Sequence, residues 1–266
     1  MLELTLRVAA ADVEDVLDAV LPALPGGTHM RHVDGEIELR VLATPGTPDE
    51  DELRRLAGPR LIELRGREVS DDWRERRLER YEPLTIADRF LVRPEWAPPG
   101  EDPHLTEIVL RQSAAFGTGV HPTTQACLAL LAELEPSGSF ADYGCGSGVL
   151  SVAAAKLGFS PVVAVDVNPV SVAAARDNAA RNEVEIDARR VDVTTEAPPP
   201  ADTIAANVPP DVQVALAHVL GHAPKLVIAS GFQRADSERV ASAWGAHGLR
   251  VVEERGAHEW MVLVMR

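Results

Sequence analysis

The sequence predicts an α/β chain, with a small α+β unit ahead of a larger, mostly parallel, doubly wound sheet. Three observations predict it. The first sixty-odd of the 266 residues run strand, helix, strand, strand, helix, strand. From about Leu105 onward strands and helices alternate, and the first strand of that alternation ends in a glycine-rich turn.

Leu2 to Val8 alternates apolar and polar residues, as a half-buried strand does. Asp12 can cap a helix to Leu21 whose apolar residues Val13, Val16, Leu17 and Val20 recur at helical spacing. Thr28 to Val33 and Glu36 to Leu42 flank Asp34-Gly35, a pair suited to a tight hairpin turn. A loop from Pro45 to Pro48 precedes a helix from Asp49 to Ala57, which stops at Gly58-Pro59 before a last strand from Arg60 to Arg67. This order is that of a ferredoxin-like split unit, placed at residues 1–68. A connector follows at 69–104. Asp71 to Tyr81 reads as a charged helix in which Arg74, Arg76, Arg77 and Arg80 interleave with Asp71, Asp72, Glu75 and Glu79, the pattern of a solvated face. Pro94, Pro98, Pro99, Gly100 and Pro103 then mark an extended linker.

In the remaining segment, 105–266, strands are expected at Phe140–Tyr143, Val162–Asp166, Glu185–Val191, Thr203–Ala206, Lys225–Ala229, Leu249–Glu254 and Trp260–Met265. Helices are expected at Thr124–Leu134, Gly148–Leu157, Pro169–Asn182, Asp211–Leu220 and Asp236–Ala246, with Gly158, Gly221 and Gly248 near their stops.

Composition narrows the function. Lys plus Arg number 26 against 41 acids, a net charge of −15, which argues against direct nucleic-acid binding; such acidity suits encounter with basic partners but more commonly serves only to keep a protein in solution. No apolar run approaches the roughly 20 residues of a membrane span, and the acids near the start do not suit a signal peptide, so a cytoplasmic protein is expected. Cys127 and Cys145 form neither a disulfide framework nor a metal-ligand pattern.

The chemistry concentrates in Phe140-Ala-Asp-Tyr-Gly-Cys-Gly-Ser-Gly-Val-Leu150. Glycines 144, 146 and 148 between a buried strand and an Ala-rich helix let a nucleotide approach the backbone. Asp166 ends the next strand, where a carboxylate can accept from both ribose hydroxyls. The spacing is G-x-G-x-G rather than the dinucleotide G-x-G-x-x-G, and Asp142 would repel a pyrophosphate but suit a cationic ligand. S-adenosylmethionine, with an ammonium and a sulfonium, fits better than NAD.

Upstream, Ala114-Ala-Phe-Gly-Thr-Gly-Val-His-Pro-Thr-Thr124 resembles the A-F-G-T-G-x-H-x-T-T signature of the ribosomal protein L-eleven (L11) methyltransferases, the PrmA family. The glycine motif is similar to that family's D-x-G-C-G-S-G-x-L. Ala164-Val-Asp-Val-Asn-Pro169, Asp177-Asn-Ala-Ala-Arg-Asn182, Ala205-Ala-Asn207, Ser230-Gly231 and Glu259-Trp260 have counterparts in order, and Asp72-Trp73, Phe90-Leu-Val-Arg-Pro94 and Trp96 resemble the inter-domain region. The resemblance implies a class I methyltransferase domain of Rossmann-like form, with the ferredoxin-like unit recognising substrate. It places Thr123, Gly144, Asp166 and Asn207 at cofactor-contact positions, with Phe116, Asp142 and Gly146 in the same motifs. Thr123 would meet the methionine carboxylate. Asn207 would orient an incoming amine, unless it is only a turn residue before Pro209-Pro210. Asp192 would reach the adenine amino group or serve as a loop acid. His121 reads equally as a base or as a helix-opening residue that positions Thr123 and Thr124, and Cys145 as a small residue between glycines, because direct methyl transfer needs no covalent enzyme intermediate.

Two segments depart from the family pattern, Arg111-Gln112-Ser113 and Val208-Pro-Pro-Asp211, both on the acceptor side. The implied activity is methylation of lysine ε-amines or terminal α-amines of ribosomal protein L11 by a monomer, without metal, membrane or nucleic acid. The alternatives are another protein lysine or small amine as acceptor, a non-catalytic module that binds the cofactor, and, more distantly, an NAD oxidoreductase.

Overall fold

The computed structural model describes residues 2–24, 28–33, 36–43, 46–68, 82–111, 121–257 and 259–266. It divides into two compact units, Met1–Arg80 and Tyr81–Arg266. The expected turn at Asp34-Gly35, the expected helix at Asp71–Tyr81 with its arginines, and Phe116 lie outside the described residues.

In the smaller unit β1 (Leu2–Ala9), α1 (Val13–Val20), β2 (His29–Val33), β3 (Glu36–Leu42), α2 (Glu50–Ala57) and β4 (Leu61–Glu68) follow in order. The sheet runs β2-β3-β1-β4 with every neighbouring pair antiparallel, as the split β-α-β order requires. Leu4, Leu6 and Val8 of β1 and Ile37, Leu39 and Val41 of β3 point to one face, where Val16, Val20 and Leu53 cover them. Asp49 caps α2 by accepting from the Glu52 N–H at 2.8 Å.

The larger unit begins where the prolines point to an extended linker, but the chain there forms a three-stranded sheet of β5 (Leu84–Ile86), β6 (Phe90–Pro94) and β7 (Thr106–Leu110). Pro94 is tolerated as the last residue of its strand, where a missing donor costs little. The buried Arg93 closes the long β6–β7 connection, donating to Glu107 at 2.7 and 3.1 Å and to the Ala97 carbonyl at 2.8 Å.

The main sheet has seven strands: β8 (Phe140–Tyr143), β9 (Val162–Asp166), β10 (Asp187–Arg190), β11 (Thr203–Asn207), β12 (Leu226–Gln233), β13 (Val251–Ala257) and β14 (Trp260–Met265). Their order is β10-β9-β8-β11-β12-β14-β13, with β14 antiparallel to both of its neighbours. The third of the expected strands is shorter than Glu185–Val191: it spans Asp187–Arg190, of which only Ala188 is buried. Along β8, Phe140 packs with α3 (Pro122–Ala132) and α4 (Val149–Leu157), while Ala141 and Tyr143 pack against the opposite layer of α6 (Pro210–Val219) and α7 (Ser237–Gly245). Between these in the chain, α5 (Pro169–Arg181) covers β9 and β10 through Val172 and Ala175. Chain order reverses between β9-β8 and β11, which opens a crevice at the carboxyl ends of the strands.

Candidate functional site

Four strand ends meet at this crevice. After β8 the chain turns through Gly144, Gly146 and Gly148, with φ of 77°, 53° and 75°, a conformation that side chains with a Cβ rarely adopt. Gly144 is also sterically bound to be glycine, since a Cβ there would lie 2.2 Å from Val208 Cγ1. The same valine excludes a side chain at Gly231, whose Cβ would stand 2.6 Å from the Val208 carbonyl oxygen. Val208, one of the departures from the family pattern, is therefore wedged between the turn that follows β8 and the irregularity at Gly231 within β12.

Asp166 ends β9 with both carboxylate oxygens engaged. Oδ2 accepts from the Gly146 N–H at 3.0 Å, and Oδ1 from the Asn168 N–H at 2.8 Å. The carboxylate thus ties the glycine turn to the start of α5. Asn168 in turn caps α5, accepting from the Val170 N–H at 2.9 Å.

Asp142 faces inward, although the sequence suggested a carboxylate offered to a cationic ligand. It is 1% exposed, and its Oδ2 accepts from the Ser151 hydroxyl at 2.7 Å and the Ser151 N–H at 3.2 Å. Burial pushes its carboxyl up to about 7; the Ser151 hydrogen bonds oppose this and the nearby Asp166 adds to it.

On the other side of the crevice, His121 is the N-cap of α3. Its Nδ1 accepts from the Thr123 N–H at 3.3 Å and lies 2.7 Å from the Thr123 hydroxyl. Its ring meets Trp260 edge-on, with centroids 5.2 Å apart, and burial holds its pKa below the ordinary value while Glu259 opposes the shift. This geometry is that of a helix-opening residue that orients Thr123. Thr124 follows, and its hydroxyl accepts from Asn207 Nδ2 at 3.4 Å, joining the end of β11 to the first turn of α3. Asp192 serves its own loop, with Oδ1 accepting from the Thr194 hydroxyl at 2.6 Å and N–H at 3.0 Å. These bonds hold its carboxyl below the usual range. Cys145 is buried, and burial drives its thiol far above the ordinary value, as expected of an inert small residue.

Residues to which the sequence assigned no role support this frame. Asn178 of α5 donates to the Ser147 carbonyl at 2.9 Å and accepts from the Arg111 N–H at 2.8 Å. Asn182, at its C-cap, accepts from the Val109 N–H at 2.8 Å and donates to the Val109 carbonyl at 2.7 Å. Gln213 of α6 holds β11 and β12 together from below. Each amide sits on an otherwise apolar stripe, such as Gln213 with Leu216, Ala217 and Leu220, and that placement was the available signal. The departing Arg111 is held near Glu95 and Asp177, at 3.8 and 3.7 Å.

Comparison with known proteins agrees with the site. Residues 56–266 match the family model described as ribosomal protein L11 methyltransferase (PrmA). A ribosomal protein L11 methyltransferase of Chloroflexus aurantiacus is 34% identical over 228 residues, covering 74% of this chain and 70% of that protein. One from Symbiobacterium thermophilum is 37% identical over 219 residues, covering 80% and 72%. The crystal structure of a ribosomal protein L11 methylase from Lactobacillus delbrueckii subsp. bulgaricus superposes with a TM-score of 0.62 at 27% identity, covering 70% of this chain and 98% of that one. With a family match over most of its length and the glycine turn, Asp166 and Asn207 on one crevice, the chain belongs to the ribosomal protein L11 methyltransferase (PrmA) family.

Proposed function

We propose that this protein is an S-adenosylmethionine-dependent N-methyltransferase whose acceptors are lysine ε-amines or terminal α-amines of ribosomal protein L11. The observation that carries the reading is the Asp166 carboxylate, fixed by two backbone N–H groups beside a turn of three left-handed glycines. The residues present fit the cofactor. Gly144 and Gly146 give backbone approach, Asp166 takes the ribose hydroxyls and Thr123 serves the methionine carboxylate, while the buried Asp142 ties the turn to α4 through Ser151 instead of facing the ligand. Phe116 and Asp192 complete the assignment on the sequence pattern. Bound S-adenosylmethionine supplies an electrophilic methyl group on a sulfonium.

The protein's task is then to present a neutral amine. Asn207 Oδ1 accepts an N–H of the acceptor, so that the nitrogen lone pair stays free for the methyl carbon. Desolvation of the amine on binding would disfavour the ammonium, which has no lone pair to donate. The net charge of −15 favours encounter with a basic substrate. The smaller unit has its own core and lies largely outside the family-model match, and we assign it to substrate docking. Among the described residues no helix is long and apolar enough to cross a membrane, and we place the reaction in the cytoplasm.

Intact-protein mass spectrometry of L11 after incubation with enzyme and S-adenosylmethionine tests the reading. A ladder of methyl additions that disappears with Asp166→Ala is the expected result. An unchanged L11 mass alongside measurable cofactor binding would move the search to other amines, the reading that Val208-Pro209-Pro210 and Arg111 favour.

A further inference from the structure

Gln213 lies fully buried in the first turn of α6 and uses its whole side-chain amide on the acceptor side of the crevice. Nε2 donates to the Ala206 carbonyl at 2.6 Å and to the Ser230 carbonyl at 2.9 Å, while Oε1 accepts from Trp244 Nε1 at 3.0 Å. An indole N–H can only donate, so the atom facing Trp244 is the oxygen and the orientation of the amide is fixed. Trp244 is itself fully buried, which leaves its N–H no solvent to turn to.

The two carbonyls are those immediately ahead of site residues, Ala206 before Asn207 and Ser230 before Gly231. Here the parallel ladder of β11 and β12 runs out. The Ser230 carbonyl receives its last ladder bond from the Val208 N–H at 3.0 Å, and Gln213 supplies the donors beyond it. The peptide that aims Asn207 is thus held by one amide, and that amide by one indole.

We propose that Gln213 is a positioning residue for methyl transfer, which sets where Asn207 stands, and that Trp244 keeps the Gln213 amide in the orientation this needs. The proposal rests on the reading of Asn207 as the group that meets the acceptor amine. A misplacement of about 1 Å at a reacting centre can cost about 100-fold in rate.

The test is steady-state kinetics on L11 and S-adenosylmethionine for Gln213→Met, Trp244→Phe and Asn207→Ala, well below each melting temperature and normalised to cofactor-binding sites. Gln213→Met keeps length and apolar fit without a donor; Trp244→Phe keeps a ring and loses the N–H. The expected result is a fall in kcat of about 10- to 100-fold for Gln213→Met and a smaller fall for Trp244→Phe, with KM for L11 and Kd for the cofactor within about threefold. Should Gln213→Met fail to fold, the kcat of Trp244→Phe decides. Lowered melting temperatures with unchanged kcat per site, where Asn207→Ala is inactive, would overturn the proposal alone. Full turnover by Asn207→Ala would overturn the Asn207 reading and this proposal with it.

Discussion

Replacing Asp142 with Asn should stabilise the free protein in a strongly pH-dependent way. The wild-type carboxyl, raised by burial from an ordinary 3.8 to about 7, costs the charged form about 4 kcal/mol, at about 1.4 kcal/mol per tenfold step. The folded state therefore holds a proton that the unfolded chain releases. The contribution of this group to stability is full below pH 3.8, declines as pH rises, and is lost above about 7. An amide keeps an oxygen for the Ser151 hydroxyl and cannot ionise, so the Asp142→Asn variant escapes the decline, less about 1 kcal/mol for the new N–H groups that need partners. Urea unfolding at half-unit steps from pH 5 to 8, followed by the fluorescence of Trp96, Trp244 and Trp260 in the larger unit, measures the gap between variant and wild type. It should widen by about 2 to 3 kcal/mol across that range, and titrating groups that do not interact with Asp142 cancel in the comparison. Parallel pH profiles would refute the argument, because they would mean that Asp142 stays charged in its buried place at no cost.

Gly231→Ala should lower stability by about 2 kcal/mol or more in thermal melts, since its Cβ would overlap the Val208 backbone at a φ of 92°. Cys127, pushed by burial up to about 12, and Cys145 should both resist a thiol reagent at pH 8 and react together on unfolding; fast labelling of either in the native protein would contradict their burial. His121→Ala should cost about 1 kcal/mol through loss of the α3 cap, and His121→Asn should restore it, as read by urea unfolding. Because burial lowers the His121 pKa, its stabilising contribution is complete above pH 6.5 and fades as pH falls through the depressed value, so the wild type should lose stability there and His121→Asn should not.

The frame of the site was legible because its residues obey constraints that act along the chain. Gly144, Gly146 and Gly148 answer to backbone geometry, and Asp166 ends a strand whose apolar run is unmistakable. Asp142 was legible as a residue type but not in direction: its partner Ser151 lies one turn into α4, and only the turn between them decides that the carboxylate faces inward. The roles of Gln213 and Asn178 were missed because an amide on an apolar stripe looks merely tolerated until the carbonyls it serves, which come from other elements, are in place. β5 to β7 escaped notice because the prolines around them outweighed Leu84–Ile86 and Phe90–Pro94, segments too short for alternation to declare itself.

Asn182 has a further consequence for the edge of the smaller sheet of its unit. β7 is the outer strand of its sheet, and Val109 turns its N–H and C=O away from β6, toward the side where another strand could add. The side-chain amide of Asn182 meets both groups, making the two bonds that a neighbouring backbone would make. Two residues on, the Arg111 N–H is met by Asn178. A pair of asparagines one helical turn apart thus imitates a short length of strand, and the sheet edge is shut to the backbone of a second copy where β-strand addition and aggregation would otherwise begin.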